Sequence, residues 1–382
     1  MRRGRYNTHK HAGVKVERLV MAENPGNGIR LVRIEDLRHC LIAAFARLEL
    51  PREDAEQVTE VLLDSEMRGH ENHGVHLLGF LADAYRGGGM NPRPRIRALR
   101  ETEGALLLDG DHSHVVGAAR AMRWCIERAR ELNGMAVAGV RDSQPIVLGF
   151  YARMAAEAGL IGFACANGIP MVAPPGGRTP TLGTNPLAYA IPAGCHPPVV
   201  LDVATTTGAA FKVRLAAQRN RPVPEGMILD REGRPTTDPN EFVWGGLMAP
   251  LGSPAAPHKG FGLALVIDAL TGVLTGADFA RDFPTEPATV GNATVWALDI
   301  EAFMARQEFL DRMEALIDRV KAGERLAGVD ELLVPGERGH RRYHELSARG
   351  TVPLSGATWE GLTKACSSLS ISPPSVRLSR SG

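Results

Sequence analysis

Residues 69–78 read GHENHGVHLL and carry three histidines spaced three residues apart: His70, His73 and His76. Apolar side chains recur at helical spacing over 54–67, and this helix is expected to end at Gly69 because glycine destabilises a helix interior. The partial negative charge at a helix C-terminus favours a protonated imidazole, and imidazole titrates near neutral pH. The stretch therefore predicts an acid–base group, with three surface histidines at a helix end as the alternative.

Helices and strands are predicted on both sides of this stretch. The first ninety residues are mainly helical, and beyond them apolar runs alternate with amphipathic segments. Helices are predicted at 33–48, 54–67, 74–85, 115–132, 148–158, 260–276 and 301–322, and strands at 106–109, 135–140, 160–166, 187–191, 199–203 and 289–300. Because the 260–276 helix is apolar on nearly all sides, it is expected to be buried between layers or between subunits.

Composition is that of an ordinary globular protein. The chain has 382 residues, of which 44% are hydrophobic and 23% charged, enough for two or three cores. A net charge of +1 gives no support for a nucleic-acid or membrane partner. The five cysteines form no CxxC pair, which favours a reducing compartment and predicts a cytoplasmic protein.

Both chain ends are predicted to lack order. Residues 1–28 are basic and non-periodic, so we expect a poorly ordered extension, with an organelle-targeting arm as the alternative. Residues 371–382 belong to a Ser/Pro-rich tail that is predicted to be disordered.

Several catalytic motifs are absent from the sequence. No GxGxxG follows a predicted strand, and GxxxxGK[ST], HExxH and GxSxG do not occur. A standard Rossmann phosphate loop, a P-loop NTPase, a zincin and an α/β-hydrolase are therefore not favoured.

Five short motifs occur in order along the chain: NHGV at 72–75, LGTNPLAYAIP at 182–192, LDVATT at 201–206, HKG at 258–260 and VPGE at 334–337. Together they resemble the malate/L-lactate dehydrogenase family of NAD(P)-dependent oxidoreductases, which includes sulfolactate and ureidoglycolate dehydrogenases, diketogulonate reductase and cyclic imine reductases. The resemblance runs from about residue 33 to about residue 371. It implies an α/β fold with a non-Rossmann NAD(P)-binding domain, in which a largely antiparallel sheet is packed by helices from both chain ends, and it implies a homodimer.

Domain boundaries follow from the same resemblance and the predicted elements. A helical domain that carries His73 is expected over 29–95 plus 330–370. The sheet-containing NAD(P)-binding domain is expected over 96–260, followed by a mainly helical segment over 261–329.

The resemblance also assigns site residues. It implies that His73 exchanges a proton with the substrate oxygen, that Asn72 positions it, and that the turn Thr184-Asn185-Pro186 lies beside nicotinamide and substrate. Contacts to NAD or NADP are implied for Asp202, Val203, Ala204, Lys259, Pro335, Gly336 and Glu337. A lysine beside a helix start suits a phosphate, and the glutamate could offer its carboxylate to ribose hydroxyls.

Three positions depart from the family pattern. Asn72 replaces a serine, Leu77 replaces an arginine that holds the substrate carboxylate, and Pro145 replaces a second histidine. The polar group of the substrate would then be held otherwise, by Arg141 or by one of two further candidate cations, Arg68 and Arg178.

The predicted function is hydride transfer between nicotinamide and a small 2-hydroxy or 2-oxo acid or cyclic imino acid. The alternative is a cofactor-binding member of the family with altered or lost catalysis and a regulatory role. A third possibility is a metal centre, because imidazole is a common metal ligand. Its candidate ligands are His70, His73, His76, His112 and His114, although no Cys or carboxylate pattern completes the set.

Overall fold

The structure, a computed structural model, describes residues 28–282 and 291–377. Its helices are α1 (Ile34–Arg47), α2 (Arg52–Arg68), α3 (Leu78–Arg86), α4 (Val116–Leu132), α5 (Leu148–Glu157), α6 (Ala210–Gln218), α7 (Pro239–Val243), α8 (Pro257–Asp268), α9 (Arg306–Lys321), α10 (Glu337–Arg349) and α11 (Gly356–Ser368). Its strands are β1 (Arg30–Arg33), β2 (Arg97–Glu101), β3 (Ala105–Ser113), β4 (Met135–Ser143), β5 (Ile161–Ala166), β6 (Leu187–Ile191), β7 (Val199–Val203), β8 (Ile228–Leu229), β9 (Pro235–Thr236), β10 (Leu247–Met248), β11 (Ala293–Leu298), β12 (Thr351–Leu354) and β13 (Val376–Arg377).

Seven strands form the central sheet, in the order β2-β3-β4-β11-β5-β6-β7. Only β3 and β4 pair in parallel, and the other neighbours are antiparallel. The late strand β11 lies between β4 and β5, so Val295 pairs with both Ala138 and Ala164. Helices α4 and α5 pack on this sheet, and Gly162 lets α5 approach because a Cβ there would lie 2.2 Å from the Ala152 carbonyl oxygen. The prediction of a mixed α/β fold with a largely antiparallel sheet is confirmed.

Helices from both chain ends pack together beside this sheet. Helix α10 packs on α2, and α11 packs on α3, around a core that includes Leu37, Phe45 and Leu62. A three-stranded sheet, β12-β1-β13, joins the two ends of the described chain. The tail predicted to be disordered from residue 371 therefore includes a strand: Val376 pairs with Val32 because β1 has a free edge there. Residues 1–27 and 378–382 lie outside the described residues.

Helix α8 continues into one π-helical turn, Ala269–Val273, which agrees with the predicted helix over 260–276. Its expected burial between layers of this chain is wrong. Leu263, Val266 and Leu274 have exposed fractions of 44%, 58% and 67%. The described residues therefore leave an apolar helix face uncovered, and burial between subunits stays a prediction. No helix in the described ranges is both long and apolar enough to cross a membrane.

Candidate active site

The histidine stretch is held in place by a buried carboxyl group. Helix α2 ends at Gly69, which has a φ of +85°, and the chain continues through two short 3-10 turns before α3. Glu66, at the end of α2, accepts a hydrogen bond from the Val75 N–H with a 3.0 Å N–Oε2 distance. A Cβ at position 74 would lie 2.1 Å from the same oxygen, so only glycine fits at Gly74. Burial raises the pKa of Glu66 to about 8.

His73 lies in this stretch with its ring held from one side. The side-chain nitrogen of Asn72 lies 2.9 Å from Nδ1 of His73, which leaves Nε2 for a ligand. Burial, followed by the charges of His70 and His76, lowers the pKa of His73 to about 4. The expectation of a protonated imidazole at the helix end is therefore wrong, because removal from water outweighs the weak field of the helix terminus.

A cavity of about 320 Å³ opens in front of His73. Its polar lining comes from six side chains: Asn72, His73, His114, Gln144, Asn167 and Thr184. The rest of the wall is mainly apolar and includes Leu77, Pro145 and Pro186. No Lys, Arg, Asp or Glu of the described ranges lines it. The structure thus brings Asn72, His73, Thr184 and Pro186 together, as expected from their motifs.

Two residues predicted to bind substrate lie elsewhere. Asn185 is fully buried and does not line the cavity; its Nδ2 donates to the Ala264 carbonyl oxygen in α8 over 2.9 Å. Arg141 lies 3.6 Å from an oxygen of Asp109, because the two residues are paired neighbours on β4 and β3. The remaining candidate cations, Arg68 and Arg178, do not line this cavity either.

A second cleft, of about 980 Å³, lies next to the first. The predicted cofactor residues Asp202 and Gly336 line it, together with His70 and five arginines: Arg38, Arg68, Arg123, Arg153 and Arg338. Asp202 accepts a hydrogen bond from the Gly149 N–H over 2.8 Å, directly after Leu148 in the wall of the first cavity. Burial raises the pKa of the Asp202 carboxyl group. Leu148 lines the first cavity and Phe150 lines the cleft, so only Gly149 separates the two linings along this part of the chain.

Two other predicted cofactor residues, Pro335 and Glu337, make hydrogen bonds within the fold. Pro335 accepts a hydrogen bond from the Val200 N–H, whereas the Glu337 carboxylate is held by Lys321, Arg341 and the Val334 N–H. That carboxylate is not available to ribose hydroxyls, so this expectation is wrong: two cations within the fold already occupy both oxygens.

Three further cofactor candidates lie near the Thr184 turn. Val203 and Ala204 precede Thr205, whose N–H and hydroxyl both donate to the Thr184 carbonyl oxygen. Lys259 is exposed in the first turn of α8. The N–H of the next residue, Gly260, donates to the Leu251 carbonyl oxygen, and the Leu251 N–H donates to the Thr205 carbonyl oxygen. The turn, the strand end and the helix start are thus tied together by backbone hydrogen bonds.

The histidines do not form a metal site in the part of the chain that is described. No group of three or more His, Cys, Asp or Glu side chains there is arranged to hold a metal ion. Nδ1 of His112 lies 3.2 Å from a carboxylate oxygen of Asp142.

Three residues of the site were not predicted for the roles that their positions suggest. The sequence predicts a role for His114 only as a metal ligand and predicts no site role for Glu66 or Arg153. Periodicity places Glu66 on the buried face of its helix, where a carboxylate is unusual, and that signal could have singled it out. The sequence holds no comparable signal for His114 or Arg153, because their neighbours are distant along the chain.

Comparisons with known proteins agree with this geometry. The model of the malate/L-lactate dehydrogenase family matches residues 32–363. A malate dehydrogenase of Pyrococcus horikoshii is 34% identical over 78% of this chain and 84% of its own, and an L-sulfolactate dehydrogenase of Methanothermobacter thermautotrophicus is 37% identical over 76% and 83%. The solved structure of malate dehydrogenase from Pyrococcus horikoshii superposes with a TM-score of 0.83 and 29% identity, covering 92% of this chain and 99% of that one.

Fold and cavity together define an oxidoreductase of the non-Rossmann type. The chain belongs to the malate/L-lactate dehydrogenase family. The predictions of family, fold class and enzyme class are confirmed. The alternative of lost catalysis gains no support, since the relatives named above are dehydrogenases and His73 faces an open cavity.

Proposed function

We propose that this chain is an NAD(P)-dependent dehydrogenase or reductase that uses His73 to exchange a proton with a small 2-hydroxy or 2-oxo acid or a cyclic imino acid. The observation that carries the proposal is the imidazole of His73, held by Asn72 in the wall of an otherwise mainly apolar cavity. Hydride transfer to a carbonyl carbon leaves an oxygen that must gain a proton, and the reverse reaction must remove one. A positioned imidazole meets that need.

The second cleft suits the phosphates of a dinucleotide. Helix α10 begins there, and its first turn carries Arg338, which has no carboxylate partner within the described ranges. A helix N-terminus and a guanidinium together favour an anion. Gly336 permits this placement, because a Cβ there would lie 2.7 Å from Cβ of Val200. We infer that Gly336, Arg338 and the Asp202 segment hold NAD or NADP, whose nicotinamide supplies or accepts the hydride near Thr184 and His73.

The protonation state of His73 sets its task in each direction. With a pKa of about 4, the ring is neutral at pH 7. To accept a proton from a hydroxyl group at Nε2, the neutral ring must carry its own proton on Nδ1, and the Asn72 amide must then present its oxygen, not its nitrogen, to that Nδ1–H. In the direction of reduction the ring must first take up a proton, and a negatively charged substrate beside it would favour that uptake. Asn72 fixes the ring so that Nε2 faces the reacting oxygen.

A homodimer is part of the proposal. Leu263, Val266 and Leu274 form an exposed apolar face on α8 and its π-helical turn, and a second copy of the chain would cover it. A reducing compartment, the cytoplasm, is supported by five free cysteines. We retain the three-part domain division, with His73 in the helical domain formed by both chain ends.

A substrate panel tests the proposed function. Purified protein is mixed with NADH or NADPH and a series of 2-oxo acids and cyclic imines, and with the oxidised cofactors and 2-hydroxy acids. Calorimetric titration with each cofactor measures binding separately. Saturable cofactor binding with turnover of at least one substrate class is expected; no binding and no turnover would refute the proposal.

A further inference from the structure

His114 is a buried imidazole whose ring makes no hydrogen bond. It follows the end of β3 and is 1% exposed, and neither ring nitrogen has a partner within the described ranges. Burial lowers the pKa of His114 to about 3, so the ring is neutral and offers one N–H donor and one acceptor. An unpaired buried polar group is costly to a fold, and its persistence calls for an explanation.

The backbone around His114 is tightly fixed although its ring is not. The Ser143 hydroxyl donates to the His114 carbonyl oxygen over 3.3 Å, and the Gln144 N–H donates to the Ser113 carbonyl oxygen over 3.0 Å. The start of α4 lies close to the end of β4, since a Cβ at Gly117 would lie 2.5 Å from the Ser143 hydroxyl. The end of β4 and the start of α4 therefore set the position of the ring.

That position is the wall of the cavity that holds His73. Apart from the two imidazoles, the polar side chains in this wall are the amides Asn72, Gln144 and Asn167 and the hydroxyl of Thr184. All are neutral at pH 7, and none bonds to the His114 ring. A ligand in the cavity would supply the partner that the ring lacks.

We propose that His114 is a substrate-contacting residue that hydrogen-bonds a polar group of a monocarboxylic substrate with an apolar remainder. This inference rests on the proposed function and deepens it. A second carboxylate would meet no cation in this wall and would have to lose its water among apolar side chains. The cavity therefore favours an apolar 2-oxo or cyclic imino acid over a dicarboxylic one.

Two variants test the role of His114 in the full-length chain. His114→Leu removes both hydrogen-bonding atoms, and His114→Gln keeps a donor and an acceptor. His39→Leu, at an exposed position on α1, is the matched control. For each protein we measure Tm, the dissociation constants of NADH and NADPH, and kcat and KM for 2-oxopentanoate, oxaloacetate and a cyclic imino acid.

The expected results separate substrate binding from folding. Wild type should have a higher kcat/KM for 2-oxopentanoate or the cyclic imino acid than for oxaloacetate. His114→Leu should raise KM for the preferred substrate roughly tenfold, the size of one lost hydrogen bond, while His114→Gln should recover most of the affinity. Cofactor dissociation constants should stay within about twofold, and the Tm of ligand-free His114→Leu should not fall, because an unpaired polar ring has been replaced by an apolar side chain.

Several outcomes would overturn the inference. An unchanged KM in His114→Leu would show that the ring does not contact the substrate, and a lower Tm or loss of folding in this variant would show that the ring serves the fold. A wild-type preference for oxaloacetate would contradict the substrate class. A wild-type chain that binds no cofactor and converts no substrate would instead refute the proposed function, and this inference with it.

Discussion

Replacing Glu66 by glutamine is expected to change how the stability of the chain depends on pH. Glu66 is 1% exposed, and its Oε2 accepts the Val75 N–H that fixes the stretch carrying His73. Burial, and to a lesser degree the negative charge of Glu71, raises its pKa from 4.5 to about 8, against the opposing effects of the Val75 N–H and Arg342. The folded chain therefore keeps this proton at pH values where the unfolded chain has lost it.

The sign and size of the pH effect on stability follow from the difference between the pKa of Glu66 in the folded chain and its pKa in the unfolded chain. Because the folded-state pKa is raised, the stabilising contribution is complete below about pH 4.5 and is lost as the pH rises towards 8. Between these values the wild-type free energy of unfolding should fall by about 1.4 kcal/mol per pH unit from this group alone, about 5 kcal/mol in all. Glutamine has the same shape, stays neutral and can still accept the Val75 N–H.

Urea unfolding monitored by tryptophan fluorescence, at fixed protein concentration and at several pH values from 4.5 to 8.5, measures the effect. The difference between Glu66→Gln and wild type should be small at the acid end and grow to about 5 kcal/mol in favour of the variant at the alkaline end. Glu53→Gln, at an exposed position on the same helix, is the control and should shift stability by less than about 1 kcal/mol. Parallel wild-type and Glu66→Gln curves would show that Glu66 does not hold its proton in the folded chain.

Four further predictions concern the site and the fold. His73→Ala should reduce kcat by a factor of roughly a hundred or more and leave calorimetric cofactor binding unchanged; equal turnover would remove His73 from the mechanism. Because His73 must be unprotonated to accept a proton, kcat/KM for oxidation should stay level down to about pH 4, where its pKa lies, and a fall near pH 6.5 in steady-state profiles would contradict the assigned pKa. Leu77→Arg, which places a cation in the cavity wall, should lower KM for oxaloacetate relative to 2-oxopentanoate by about tenfold or more, and an unchanged ratio of KM values would argue against a substrate carboxylate near this position. Glu337→Ala should destabilise the chain by about 2 kcal/mol, because it removes the carboxylate partner of Lys321 and leaves the Val334 N–H without its acceptor; thermal unfolding that matches wild type would contradict this.

Much of the local structure was predictable because periodicity is a local property. The ends of α2 and α3 follow from Gly69 and the triple glycine at 87–89, and β6 and β7 occupy the predicted ranges. Strands β1 and β13 were missed because they are short, and their pairing partners lie more than three hundred residues apart in the chain. The position of β11 between β4 and β5 likewise depends on contacts that no sequence window contains.

The site residues likewise fall into those that the motifs predicted correctly and those that the fold placed elsewhere. Motifs led to His73, Asn72, Thr184 and Pro186, which the fold brings to one cavity. Asn185 belongs to the same motif but faces α8, because a turn points neighbouring side chains in different directions.

The sequence by itself determined the family, the order of most helices and strands, and the imidazole that faces the cavity, because short motifs and apolar periodicity are written along the chain. Only the tertiary structure decided the charge state of that imidazole, the engagement of Glu337 within the fold and the presence of His114 in the cavity wall. Burial and long-range contacts control each of these properties. They exist only after distant segments have packed together and excluded water.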